Sequence, residues 1–287
     1  MTKPLLLAAA ALSLAATATG AHAETKLTTT VHTGTPGGFL VTSTLVAGDK
    51  DAVLVDGQFT LADAHRVVAM VLESKKNLTT VYVTHSHPDH YFGLVAIKQA
   101  FPKAQFVALP GTLAEIEKTY KDKVKQWGPM YGALLTSDPL RPVALKGNTI
   151  DLEGQKLEIR GPVQGDSPDN TFVWIPSLRT AIAGDIVYRG VHPWTRETDA
   201  AGRKAWIATL DAIAALGPEH VIAGHKDPKF ADDAKGLAAT RAYLVAFDAA
   251  LASAKTPADL VKAVKAKYPD LQLDVILTLG AETQFKK

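Results

Sequence analysis

The stretch Thr84-His85-Ser86-His87-Pro88-Asp89-His90 sets the tightest limit on how this chain folds. It gathers three of the nine histidines and one carboxylate into seven positions. The run "TTVYVTH" that ends at His85 is rich in β-branched and aromatic residues, as a buried strand is, and the sequence turns helical from about Tyr91 to Phe101. A strand end leading into a helix is where α/β proteins place their sites. His85 and His87 are two apart, so in an extended segment their side chains leave on the same side. Pro88 then bends the chain and turns Asp89 and His90 to a second position nearby. One short loop thereby feeds two metals, using ordinary zinc ligands, and a pair of divalent ions roughly 3.5–4 Å apart is a known hydrolytic device. The alternative is a solvated polar turn that is rich in histidine.

The flanking pattern favours sheets covered by helices. Thr28 to His32, Phe39 to Ala47 and Ala52 to Val55 read as strands separated by "GTPGG" and "GDKD" turns, followed by a helix from Leu61 to Ser74. "AQFVAL" is another buried strand. Lys156 to Arg160, Thr171 to Ile175 and Arg179 to Ala183 are shorter strands with antiparallel character, and a helix over Ala205 to Leu216 leads to "HVIAGH". From about residue 230 the chain is Ala-rich and helical, with a break at Lys255-Thr256-Pro257 where Thr256 is an N-cap and Pro257 takes the first helical position. This alternation predicts an α/β fold.

Residues 1–23 combine one cation at Lys3, an apolar run from about Leu5 to Ala16, and Ala21-His22-Ala23. That order is expected of a secretory signal peptide, and the run is shorter than the roughly 20 residues needed to span a bilayer. Cleavage after Ala23 leaves residues 24–287 as a single domain in the periplasm or medium, with no stable membrane insertion. Without Lys3, 30 basic residues face 29 acidic ones, which excludes a large electrostatic footprint for nucleic acid and favours a small-molecule substrate. The chain has no cysteine, so disulfides, thiolate nucleophiles and thiolate metal ligands are excluded. Its apolar share of 47% must supply the core unaided. Oligomeric state has no signature here.

His85-Ser86-His87-Pro88-Asp89-His90 resembles the HxHxDH signature of the metallo-β-lactamase fold superfamily. The rest of the family pattern follows in order, over about Thr28 to Pro228. Asp56 ends "AVLVD" as the family's buried structural aspartate does, Asp185 in "AIAGD" looks like its metal-bridging carboxylate, and His225 in "VIAGH" looks like its late histidine. The resemblance implies a four-layer αββα sandwich of two mixed β-sheets flanked by helices, here with a helical C-terminal extension from about residue 230. It also implies two metal ions, zinc first, and metal-assisted hydrolysis in which Asp89 orients water or passes a proton to the leaving group. His32, His65 and His220 lack such company and are read as surface or core residues.

One position departs from the family. Most members carry a histidine in a "GHTPDN" or "GHSPDN" segment, whereas this chain reads "GDSPDN", Gly165 to Asn170. Asp166 is either a turn residue or the third ligand of a first site made of His85, His87 and Asp166. The second site is then Asp89, His90 and His225, with Asp185 between the two. An aspartate lowers the cluster's positive charge and lets manganese or iron compete with zinc. "KVKQWGPMYGALL", Lys123 to Leu135, is either an apolar lid carrying Trp127 and Tyr131 or a helix packed on the core. Trp194 faces it, and His192 is a pocket wall or a remote substitute ligand.

The fold hosts several chemistries and does not choose among them. Lactones, β-lactams and simple esters lead. Phosphate esters rank lower, since only Arg189 and Arg196 flank the ligands. An iron-dependent redox enzyme acting on a sulfur substrate, and a non-catalytic metal-binding exported protein, are the alternatives.

Overall fold

The structure is a computed structural model describing residues 26–285. The signal segment expected at residues 1–23 lies outside the described residues. Among those described, no helix is long and apolar enough to cross a membrane.

The first half of the chain builds one mixed sheet. Its strands are β1 (Thr28–Thr33), β2 (Thr42–Ala47), β3 (Asp51–Val55), β4 (Asn77–Tyr82), β5 (Gln105–Ala108) and β6 (Val143–Ala144), in that spatial order. The first three pair antiparallel, and β3 through β6 pair parallel. Parallel neighbours need crossovers. These are α1 (Leu61–Ser74), the short α2 (Pro88–Tyr91) with α3 (Leu94–Ala100), and α4 (Pro110–Tyr131).

The second half folds β7 (Thr149–Leu152), β8 (Gln155–Val163), β9 (Asn170–Ile175) and β10 (Thr180–Ile182) as an antiparallel meander. After β11 (Tyr188–Arg189), α5 (Ala200–Ala215) returns the chain so that β12 (His220–Ile222) joins β10 in parallel. β13 (His225–Lys226) pairs with β11 as a separate ribbon. The C-terminal helices are α6 (Lys235–Ser253), α7 (Pro257–Lys267) and α8 (Asp274–Gln284).

Strand alternation divides the core into layers. Val53 and Val55 of β3, Tyr82 of β4 and Val107 of β5 point between the sheets, where they meet Ile159, Val173, Ile175, Ile182 and Ile222. Leu45, Leu54, Val81 and Phe106 point the other way, onto α1, α3 and α4. Phe172, Trp174 and Val221 face α5 and α6 through Trp206, Leu210, Leu237 and Leu244. Helix, sheet, sheet and helix therefore stack with an apolar seam at each junction, which is the four-layer sandwich expected.

Several boundaries differ from the sequence reading, each for a local reason. The strand expected from Phe39 begins at Thr42, because Phe39 and Leu40 adopt left-handed backbone (φ 61° and 55°) after the turn Pro36–Gly38. The helix expected from Tyr91 to Phe101 breaks at Gly93, where a Cβ would sit 2.2 Å from the carbonyl oxygen of Gly57. The helix expected from Ala205 starts at Ala200, since Asp199 caps it by accepting from the Gly202 N–H at 2.7 Å. Thr256 caps α7 as expected, in a reciprocal box with Asp259.

Nor is everything beyond residue 230 an appendage: α6 is part of the outer helical layer, and only α7 and α8 form a further core with it, through Tyr243, Phe247, Leu260 and Leu277.

His192 ties that C-terminal unit to the sandwich. Its backbone N–H donates to Gln272 O (3.0 Å), and its Nδ1 meets the Tyr243 hydroxyl at 3.0 Å. Burial pushes its pKa down from 6.5 to about 4, against a weaker upward pull from Asp274. The unfolded chain therefore takes up a proton that the folded one refuses. The contribution to stability is complete above pH 6.5, is lost as pH falls through about 4, and amounts to roughly 2–3 kcal/mol at most. Urea unfolding from pH 7 to pH 4 is expected to show a steeper loss of stability in the parent chain than in His192→Gln; parallel slopes would refute this.

Candidate metal centre

The ligand-bearing segments converge at the edge where both sheets end. Val83 and Thr84 continue from β4, the chain bends at His85 and Ser86, and Pro88 starts α2, with Asp89 and His90 in its first turn. Asp56, just past β3 at φ 63°, accepts the Thr84 N–H and hydroxyl, both at 2.9 Å, and meets His90 Nδ1 at 2.8 Å. Asp185 sits in the tight turn Gly184–Ile186 after β10. Gly224 passes so close that a Cβ would lie 2.3 Å from Asp185 Oδ1, which explains the glycine before His225.

The hydrogen bonds fix which ring nitrogen each histidine offers. The Thr84 hydroxyl spends its proton on Asp56, so it accepts from His85 Nδ1 (3.0 Å). His90 donates from Nδ1 to Asp56, and His225 donates from Nδ1 to Phe39 O (2.7 Å). All three rings thereby turn a lone pair on Nε2 inward. His87 is reversed: Nε2 faces Glu197 Oε1 at 3.2 Å, and Nδ1 lies 3.1 Å from Asp166 Oδ2.

Two donor groups result. His85, His87, Asp166 and Asp185 form one, and Asp89, His90 and His225 form the other; within each, the ligand atoms all lie within 4.8 Å of one another. Asp185 also reaches the second group, with Oδ1 3.1 Å from His90 Nε2 and Oδ2 3.0 Å from His225 Nε2. All seven predicted ligands are therefore brought together, including Asp166.

The arrangement fits metal ions. His85 Nε2 is buried without a hydrogen-bond partner, and His90 Nε2 and Asp185 Oδ1, 3.1 Å apart, have no other partner and lack hydrogen-bond geometry to each other, which is costly unless a cation takes them up. Burial disfavours charge on His87, yet Asp166 and Glu197 outweigh it and raise its pKa well above the ordinary value; Asp185 and Asp56 do the same to His90. A cluster that holds protons this firmly also attracts metal cations, and metal uptake must displace those protons.

Two contributors escaped sequence reasoning. The Tyr188 hydroxyl lies 2.8 Å from Asp185 Oδ2 and 2.9 Å from Asp166 Oδ2, one phenolic proton between two carboxylates, and its ring stacks on His225 at 5.0 Å. Its position three residues after Asp185 was the only available signal. Glu197, which touches His87, lies on a loop with no recognisable motif. Trp194 Nε1 donates to the same Glu197 oxygen at 3.2 Å, and His87 holds the Glu197 carboxyl well below the usual range even though burial opposes it.

A cleft open to solvent lies above the donors. Trp127, Trp194 and His192 line it, as expected. Of the two readings of Lys123 to Leu135, the structure shows the helix: residues through Tyr131 are the C-terminal half of α4, and Trp127 lines the cleft. Trp127 packs edge-on to Phe39 and Phe59, while Tyr131 packs on Phe59 (4.9 Å) outside the cleft lining and Met130 and Leu134 face solvent. His192 belongs to neither donor group; its Nδ1 meets the Tyr243 hydroxyl and its Nε2 lies 3.5 Å from Asp274 Oδ1. Arg189 lies away from the cleft, stacked on Phe230 at 4.6 Å.

Residues 36–225 match the family model described as "Metallo-beta-lactamase superfamily", more than half of the chain. The chain belongs to that superfamily. Among curated members it is 30% identical over 139 residues to the "Metallo-beta-lactamase type 2" of Bacillus sp. (strain 170) and 27% identical over 139 residues to that of Bacillus cereus. Each match covers 48% of this chain, and the chain spans about half (47%) of each relative's length. Among solved structures, a metallo-beta-lactamase family protein of Thermus thermophilus superposes with a TM-score of 0.62 at 20% identity, covering 90% of both chains. A metallo-beta-lactamase of Pontibacter korlensis gives 0.56 at 18% identity, covering 77% of this chain and 99% of its own. At such identities the structures share the fold. The superfamily match and the two His/Asp donor groups together mark this edge of the sandwich as a candidate metal centre.

Zinc titration against a chelator tests the first donor group. Asp166→Ala is expected to lose about one of two equivalents, Asp166→His to keep both, and Glu197→Ala to bind about 10–100-fold more weakly in that group. Two full equivalents at parental affinity in Asp166→Ala would reduce Asp166 to a turn residue.

Proposed function

We propose that the chain is an exported dinuclear hydrolase, with zinc as its metal, acting on a small ester, lactone or β-lactam. The observation that carries this reading is the pair of donor groups joined by Asp185 beneath a cleft with one apolar wall, which Lys123 and Arg196 also line. Bound metal ions supply Lewis-acid polarisation of water and of the scissile carbonyl. The donor set of imidazole and carboxylate without thiolate suits zinc, and the oxygen of Asp166 also admits manganese or iron.

The chain's own groups do the remaining work. Asp89 lines the cleft, with Oδ2 3.4 Å from His225 Nε2, placed to orient water and then to pass a proton to the leaving group. Tyr188 holds the facing oxygens of Asp166 and Asp185 in register, and Glu197 keeps the His87 ring turned so that Nδ1 faces inward. Phe39, Trp127 and Trp194 exclude water from one side. The type 2 metallo-beta-lactamases that share 139 aligned residues add support for β-lactams among the candidates.

Metal analysis of the purified chain, with a panel of lactone, β-lactam, carboxyl ester and phosphodiester, tests this. The expected result is about two zinc ions per chain and hydrolysis of at least one of the first three, lost in both His87→Ala and His225→Ala. One iron with oxygen uptake on a sulfur substrate, or no hydrolysis at saturating metal, would overturn it.

Export rests on the charge, apolar run and Ala-x-Ala order of residues 1–23. Intact mass from a secreting host should correspond to a chain beginning at Glu24, and a membrane-bound product retaining Met1 would refute it.

A further inference from the structure

The cleft wall contains residues from a part of the chain beyond the family match. Leu273 and Ile276, at the start of α8, line it together with Phe39, Trp127 and Trp194, while the family match ends at residue 225. Leu273 has left-handed backbone, φ 66° and ψ 47°, a conformation that a bulky L residue rarely adopts and that glycine or asparagine takes readily. Its side chain nevertheless packs against both flanking cores, and Ile276 is buried in the one that contains Phe39 and Phe59.

The backbone on either side is fastened. Gln272 donates from N to Gly190 O (3.1 Å) and accepts from the His192 N–H at 3.0 Å. At the far end of α8, Gln284 Nε2 donates to Thr195 O (3.0 Å) and Thr283 Oγ1 donates to Arg196 O (3.1 Å). Both ends of α8 are thus locked to the segment carrying Trp194, so the apolar wall is preformed.

On the hydrolase reading above, we infer that this wall is the seat of an apolar arm on the substrate. The ligand class is an ester, lactone or amide whose reacting carbonyl carries an aliphatic chain or aryl group. The carbonyl sits over the donor groups and the arm lies between Trp127 and the α8 residues. An arm moved from water onto such a wall gains affinity with each methylene it buries, about 4-fold per CH₂ as an upper bound.

The test uses the zinc-loaded full chain. Trp127 and Trp194 line the cleft, so tryptophan fluorescence reports binding of the unreactive probes butyrate, hexanoate, octanoate and decanoate. In parallel, kcat/KM is measured for 4-nitrophenyl esters from acetate to octanoate. Leu273→Asn removes the apolar side chain while suiting the left-handed backbone, and Ile276→Ala is the second variant.

In the parent chain, affinity and kcat/KM are expected to climb with chain length. The decanoate-to-butyrate affinity ratio should fall at least about 5-fold in each variant. A ratio is taken within one protein, so a loss of folded material cancels. Chain-length binding without hydrolysis of any ester would support the apolar seat and count against the proposed reaction. Hydrolysis with a flat length profile, or ratios equal to the parent's in both variants, would overturn the inference.

Discussion

The Asp56 carboxylate is the point on which the metal centre depends. It accepts the N–H and hydroxyl of Thr84 and the Nδ1–H of His90, so one buried acid joins the end of β3, the end of β4 and the first turn of α2. The Thr84 hydroxyl, having given its proton to Asp56, must accept from His85. A single side chain therefore sets the tautomer of one ligand directly and of another through one intermediary. A buried, charged acceptor with three donors is also a strong local constraint, because removing it would leave those donors unsatisfied in a low-dielectric interior.

The sandwich supplies the rest of the geometry. Thr42 donates from its N–H to Gly224 O at 2.8 Å and from its hydroxyl to Ala223 O at 2.6 Å, which ties β2 of the first sheet to the strand end that carries His225. Thr171 donates to Thr84 O at 2.6 Å, tying β9 of the second sheet to the segment before His85. The two donor groups thus draw ligands from both halves of the chain, and the apolar seam between the sheets sets their separation.

The part of this that was legible in the sequence is the part governed by local rules. A β-branched run ending in HxHxDH fixes a strand, a bend and a helix start within seven residues, and α1 begins and ends where its periodicity predicts. Asp166 was ambiguous because turns and metal sites both favour aspartate, and the structure shows both faces of it: Oδ2 lies 3.1 Å from His87 Nδ1 while Oδ1 accepts from Asn170 Nδ2 at 2.9 Å within its own loop. Tyr188 and Glu197 were not read at all. Each acts through contacts with residues distant in sequence or facing it across a turn, and no periodicity records such a contact. Lys123–Leu135 stayed open between a lid and a packed helix because its apolar residues suit both; the structure makes it helix through Tyr131, with Pro129 inside α4.

The anchoring of α8 has a consequence for how such a protein diversifies. The metal donors are confined to strand ends whose neighbours leave almost no room, as the 2.3 Å approach at Gly224 shows. Leu273 and Ile276 instead belong to a helix fastened at its two ends and packed on α6 and α7 through Leu277 and Ala281. None of the metal donors lies on that helix. Drift and selection are therefore free to retune which molecules enter long before they disturb the chemistry performed on them.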